Sequence, residues 1–311
     1  MNVYEGLNFP LQLKKTVVSV GAFDGVHVGH KTLIKRMKEV GTQYSCKTLL
    51  VTFHLPPRFV LNKQSEFKLL NTTEEKIAML EEAGIEDLWV LPFTREFAEL
   101  SYTRFVEEYL SGRAGVGHLV IGYDHSFGKG KGGVYDDLLK LSHELGFSVE
   151  RFPALTIDGK IVGSSIIREL LLSGNIVQAN LLLGYNYCLS GKVVRGNQIG
   201  KLIGFPTANL ELRDPNKLIP SKGVYACLIG WKGNTFFGMS NIGIRPTIES
   251  NCLTIEANIF NFNREIYNDE ITLRLVQKIR DEKKFGNLEL LKKQLFIDKK
   301  VVEEILENQI S

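Results

Sequence analysis

Two rhythms of hydrophobic and polar positions divide the chain. Up to about residue 180, short apolar or β-branched runs alternate with segments whose apolar residues recur every three or four positions. Residues 16–21 and 47–53 read as strands, and 88–91, 119–122 and 148–152 add three more. Between them, residues 30–40 place Leu33, Ile34 and Met37 on one helical face. Residues 72–83 open on Thr72 with Glu75 at capping-box spacing. Residues 101–110 would bury Phe105, Val106 and Tyr109, and 136–145 form another helix. Helices over 164–172 and 176–183 follow, separated by the stop signal Gly174-Asn175. This alternation predicts a parallel sheet with helices on both faces and ligands at the carboxyl ends of its strands.

After Gly184 the rhythm changes. Strand-like segments at 188–194, 207–212, 224–230, 235–241, 253–260 and 271–278 succeed one another without helices, as in an antiparallel barrel or sandwich. A last helix carries Leu288, Leu291, Leu295, Val302 and Ile305 at helical spacing, a stripe suited to packing on the barrel. Domains of 1–184 and 185–311 are therefore expected.

Composition acts by exclusion. Across 311 residues, 38 Lys and Arg oppose 35 Asp and Glu, a net charge of +3. That is too mild for a nucleic-acid-binding protein. No apolar run reaches the ~18 residues of a membrane span, and the first residues carry no secretory pattern. Cys46, Cys188, Cys227 and Cys252 lack zinc-site spacing and read as reduced thiols. A cytoplasmic protein without nucleic-acid or membrane partners is expected, and no feature names a protein partner.

The strongest local signal is Gly21-Ala22-Phe23-Asp24-Gly25-Val26-His27-Val28-Gly29-His30, between a strand and a helix. Its glycines admit a bulky ligand close to the backbone. The helix start offers free N–H groups to phosphate, and His27 and His30 add two imidazole donors. The spacing is not that of a Walker loop, and neither is that of Gly196–Lys201. Gly128-Lys129-Gly130-Lys131-Gly132 opens no helix and is rejected as a dinucleotide fingerprint. A second helix start, Ser164-Ser165-Ile166-Ile167-Arg168, sets two hydroxyls and a planar cation where phosphate oxygens can be held.

In the second half, Gly196, Gly200 and Gly204, with Lys201 among them, precede Pro206-Thr207-Ala208-Asn209. Thr207 and Asn209 lie two apart on a strand and point to one side, a hydroxyl and an amide oxygen suited to Mg²⁺. By alternation Glu256 shares a face with Thr254 and Asn258, opposite Ile255 and Ala257. It fits either a general base or a solvated charge on an outer face.

The loop around His27 and His30 resembles the HxGH signature of nucleotidylyltransferases, and residues 164–168 fit that superfamily's second signature. Pro206-Thr207-Ala208-Asn209, Gly223-Val224-Tyr225-Ala226, the 241–247 stretch, Glu256 and Arg280–Phe285 resemble the riboflavin kinase domain, in order. Together the chain resembles the prokaryotic bifunctional riboflavin kinase/FMN adenylyltransferase family. The resemblance implies an α/β Rossmann-like nucleotidylyltransferase domain followed by a six-stranded antiparallel β-barrel with a C-terminal helix. It also implies ATP, riboflavin and FMN as substrates, with Mg²⁺.

Gly21, Phe23, Asp24, Gly29, Ser164 and Ser165 would contact the nucleotide in the first site, with His27, His30 and Arg168 stabilising charge. Asp124 matches a position that the family places near adenosine or flavin. Gly196, Gly200, Lys201 and Gly204 would contact nucleotide in the second site, Thr207 and Asn209 would hold Mg²⁺, and Glu256 would act as base. The pattern departs from the family at Leu55-Pro56-Pro57, Val134, Gly163, Lys201 and Asn268, mostly in the first half. Two alternatives follow: a kinase with a weak or altered nucleotidylyltransferase half, and a non-catalytic flavin-binding homologue.

Overall fold

The computed structural model describes residues 1–7, 15–61, 67–123, 135–196, 199–246 and 251–308. The chain divides into two compact units, Met1–Ser164 and Ser165–Ser311.

The first unit holds a six-stranded parallel sheet. Its strands are β1 (Asn2–Glu5), β2 (Thr16–Val20), β3 (Thr48–Phe53), β4 (Asp87–Leu91), β5 (Val116–Gly122) and β6 (Ser148–Phe152), in the order β1-β4-β3-β2-β5-β6. β2, β3 and β4 are buried along their whole length, so successive residues feed two separate cores. On one face Val17, Leu50 and Leu88 pack with Leu33, Ile34 and Met37 of α1 (Val28–Tyr44), while α2 (Pro57–Leu61) precedes α3 (Thr73–Glu82), which adds Leu80. On the other, Val18, Leu49 and Trp89 meet the chain from α4 (Arg95–Ala98) through α5 (Tyr102–Phe105) to α6 (Tyr135–Leu145).

The helix expected over 101–110 is divided. After α5 the chain winds into a π-helical turn, Val106–Ser111. β1 escapes the hydrophobic pattern because it is a four-residue edge strand that is largely exposed. The capping box at Thr72 and Glu75 forms in both directions. A small hairpin, β7 (Thr156–Ile157) and β8 (Lys160–Ile161), leads to α7 (Ser164–Ser173).

The second unit contains α8 (Ile176–Leu183), held by Asn180, which donates to the Leu275 carbonyl and accepts the Tyr187 N–H, both at 2.8 Å. Six antiparallel strands close a barrel: β9 (Cys188–Val194), β10 (Ala208–Leu212), β11 (Gly223–Trp231), β12 (Asn234–Pro246), β13 (Asn251–Ile259) and β14 (Glu270–Arg280). Their order is β10-β13-β12-β11-β14-β9. A one-turn helix, α9 (Ile199–Leu202), interrupts the run of strands.

The last helix, α10 (Leu288–Glu307), covers Val224, Ala226 and Met239 with Val302 and Leu306. Leu288, expected in its apolar stripe, is exposed, and Asp298 is buried in its place. Asp298 receives Arg280 through Nε (3.0 Å) and Nη2 (2.7 Å), and Gln294 Nε2 at 2.9 Å. Leaving the guanidinium without its partner costs about 2–3 kcal/mol. Asp298→Ala is therefore expected to lower the unfolding free energy of this unit by that amount in denaturant titration, and an unchanged value contradicts the pairing.

Candidate functional site

In the first sheet, the direction of chain growth reverses between β2 and β5, the place where open α/β sheets bind ligands. There the chain leaves β2 and turns through residues 21–27 into α1. Phe23, Gly25 and Val26 take left-handed backbone angles, with φ of 47°, 89° and 33°. For a β-branched valine this is strained, and such strain persists only where neighbours fix it. Here polar neighbours do so. Asp24, 5% exposed, accepts the Leu70 and Asn71 N–H groups at 2.9 and 3.3 Å. Ser164 Oγ donates to the Asp24 carbonyl at 2.8 Å, and Thr52 Oγ1 to the Ala22 carbonyl at 3.2 Å. Asp24 and Ser164, expected against the nucleotide, thus both brace the loop.

His27 is the N-cap of α1. Its Nδ1 accepts the His30 N–H at 3.3 Å, which leaves the ring proton on Nε2. Gly29 permits this, since a Cβ there would come within 3.1 Å of Nδ1. Gly21 likewise makes room for the buried Phe23 ring. The His27 and His30 rings stack 3.6 Å apart, and Phe23 tilts against His30 at 5.0 Å. Burial lowers the His27 pKa to about 4. Burial, then His27 and Lys76, hold His30 well below the usual histidine range. Both rings are neutral at pH 7 and can donate N–H to a phosphate without carrying charge. His30 Nδ1 is buried without a hydrogen-bond partner.

Ser165 and Arg168 follow Ser164 in α7, the first exposed and the second half-buried, and they belong to the second compact unit. Asp124, Val134 and the 128–132 glycines lie outside the described residues. Sequence reasoning missed Lys76, a buried lysine behind the loop. Its signal was a lysine four residues before Leu80, on the inward face of α3.

In the second unit, β13 pairs with β10 and β12 so that Glu256 lies opposite Asn209 on one side and Asn241 on the other. Thr207 Oγ1 lies 3.4 Å from Glu256 Oε2. Asn209 packs against Gly196, where a Cβ would fall 2.2 Å from its Nδ2, and Gly200 closes on the Phe205 carbonyl in the same way. Lys201, within α9, and Gly204, just after it, are exposed.

Glu256 is on the barrel face that α10 covers, so it lines a cavity rather than an open outer surface. The face is an outer one, yet α10 and the 280–285 segment wall it into a cavity of about 350 Å³. Thr207, Asn209, Asn241, Glu256 and Asn258 form its polar wall; Val224, Met239, Leu291 and Leu295 form its apolar one. The sequence did not single out Asn241, whose in-register position across from Glu256 depends on the closed barrel.

The donors fit a magnesium ion that arrives with phosphate. No cluster of three or more His, Cys, Asp or Glu able to hold a metal occurs among the described residues. A hydroxyl, an amide oxygen and one carboxylate leave the remaining ligands to phosphate and water, the habit of Mg²⁺.

Residues 10–166 match the family model for FAD synthetase, and residues 183–306 match that for riboflavin kinase. A bifunctional riboflavin kinase/FMN adenylyltransferase of Bacillus subtilis is 37% identical, covering 92% of this chain and 90% of its own length. Proteins of the same description from Listeria monocytogenes and Escherichia coli K12 are 38% and 32% identical, covering 90% and 93% of this chain and 88% and 92% of their own lengths. The chain belongs to the bifunctional riboflavin kinase/FMN adenylyltransferase family. A solved structure described as a macrolide-efflux protein of Streptococcus pneumoniae superposes with a TM-score of 0.89 at 28% identity, covering 97% of this chain and 99% of its own. Among the described residues, no helix is long and apolar enough to cross a membrane.

The neutral histidines make a prediction about stability. The unfolded chain takes up protons near pH 6.5, whereas folded His27 resists until about 4. The first unit therefore loses stability as pH falls through that window, by about 3 kcal/mol for His27 alone. His27→Gln should flatten this acid limb in denaturant titrations between pH 7 and about 4; an equally steep limb contradicts the buried neutral ring.

Proposed function

We propose that the chain phosphorylates riboflavin to FMN and then adenylylates FMN to FAD, at two separate sites. One observation carries the reading: each compact unit holds its own phosphate-handling arrangement, the capped imidazole pair in one and the Glu256 cavity in the other. Residues 1–184 are assigned the adenylyltransferase step and 185–311 the kinase step, supported by the two matched ranges.

In the kinase step the ribityl 5′-hydroxyl attacks the γ-phosphorus of ATP, and ADP leaves. Glu256 accepts the hydroxyl proton, Asn209 and Asn241 flank it, and the apolar wall takes the flavin ring. Thr207 and Asn209 would hold Mg²⁺, which supplies charge neutralisation to the phosphates when bound. Gly196, Gly200, Lys201 and Gly204 are assigned to the nucleotide.

In the adenylyl step an FMN phosphate oxygen attacks the α-phosphorus of ATP, and pyrophosphate leaves. No protein nucleophile is required, and the rate comes from positioning and charge stabilisation. His27 and His30 donate neutral N–H groups, and the start of α1 adds its backbone N–H groups. Asp124 is assigned to adenosine or flavin.

Purified chain incubated with riboflavin, ATP and Mg²⁺ is expected to yield FMN and then FAD on chromatography. FMN alone would remove the adenylyltransferase assignment, and unchanged riboflavin would remove both. Glu256→Gln keeps shape without the basic oxygen and should slow FMN formation roughly 10²–10⁴-fold, while FAD still forms from supplied FMN. A variant that keeps more than about a tenth of the kinase rate would end the base assignment.

A further inference from the structure

Lys76 is 4% exposed, on the inward side of α3. Its ammonium donates to the Phe53 carbonyl at 2.5 Å and reaches the Ala22 carbonyl and Thr52 Oγ1, both at 3.4 Å. Phe53 ends β3, and Ala22 begins the loop that leaves β2. One cation therefore joins the carboxyl ends of two neighbouring strands directly behind the His27–His30 loop.

Hydrogen-bond satisfaction alone does not explain a charge there. The Ala22 carbonyl already receives Thr52 Oγ1, and an apolar side chain of similar length would fill the space without the desolvation cost of an ion. Buried lysines are rare unless paired. The acidic side chain that favours the charged form of Lys76 is Asp24, whose Oδ1 already accepts two backbone N–H groups. From α1 the ammonium faces His30, and from β3 it meets a carbonyl and a hydroxyl. Burial outweighs Asp24 and lowers the ammonium to about 8, so it is mostly charged at pH 7.

We infer that Lys76 is a positioning residue for adenylyl transfer: it ties down the Ala22 and Phe53 carbonyls and sets a fixed positive charge beneath the loop that meets the nucleotide phosphates. Negative charge grows on the α-phosphate oxygens in the transition state, and a preorganised cation one layer behind the backbone stabilises it without contact. The inference rests on the reading of the first unit as the adenylyltransferase.

The test is the rate of FAD formation from FMN by the full chain, as wild type, Lys76→Met and Lys76→Arg, from about pH 6 to 10. Lys76→Met is expected to lower kcat about 10²-fold while changing KM for FMN less than about threefold. Riboflavin phosphorylation in the same sample should be preserved. Wild-type kcat/KM should fall as pH rises through about 8, where the ammonium loses its proton. That limb should vanish in Lys76→Met and move upward in Lys76→Arg, whose guanidinium stays charged. A Lys76→Met chain within about threefold of the wild-type kcat overturns the inference. So does a wild-type profile that is flat between about pH 7 and 9, and this second measurement decides the matter even where the variants fail to fold. A wild-type chain that makes no FAD overturns the reading of the unit, and the inference with it.

Discussion

The bidentate pairing of Arg280 with Asp298 fixes the last helix to the end of β14, and the second unit's chemistry depends on it. Glu256 points away from the barrel interior, where a carboxylate would ordinarily be solvated. With α10 held down, Leu291 and Leu295 come over that face, and the chain between residues 280 and 287 becomes a wall. A flat strand surface is thereby converted into a cavity with one polar and one apolar side. The apolar side suits a flavin ring, and the polar side, three strands wide, suits a hydroxyl and a phosphate.

The loop of the first unit is organised differently. The unit fixes this short loop in left-handed conformations and caps a long helix with an imidazole. The strain at Val26 is held by groups that would otherwise need solvation: the Asp24 carboxylate, the Ser164 hydroxyl and the Lys76 ammonium. Burial keeps the two histidines uncharged, and at His30 the neighbouring His27 and Lys76 add to it. With the imidazoles neutral, positive charge near the loop is left to the helix start and to the Lys76 ammonium behind it.

The sequence made both architectures legible because their hydrophobic periods differ so clearly. The parallel sheet, the six barrel strands and the covering helix all follow from those periods. The histidine loop was legible because glycine spacing and a strand–helix junction coincide there. What the sequence withheld depends on tertiary contacts. Alternation put Glu256 on the correct face but could not say that α10 would roof it. That the Asp24 carboxylate would receive the Leu70 and Asn71 N–H groups, and the Ser164 hydroxyl donate to the Asp24 carbonyl, depends on contacts distant in sequence. Leu288 fits the helical stripe but lies at the helix start, where it remains exposed, while a polar residue, Asp298, takes the buried place because Arg280 reaches it. β1 was invisible because four edge residues with two polar ends carry no period.

The central claim is that two separate sites act in succession on one flavin, joined by an FMN that can leave the kinase site and enter the adenylyltransferase site. Mixing two purified variants tests this most directly: Glu256→Gln, blocked in the kinase step, and His30→Ala, blocked in the adenylyl step. Supplied with riboflavin, ATP and Mg²⁺, neither variant alone is expected to accumulate FAD, and the mixture is expected to do so, as FMN made by one is consumed by the other. A mixture that makes no FAD, although both proteins are folded, would contradict the account.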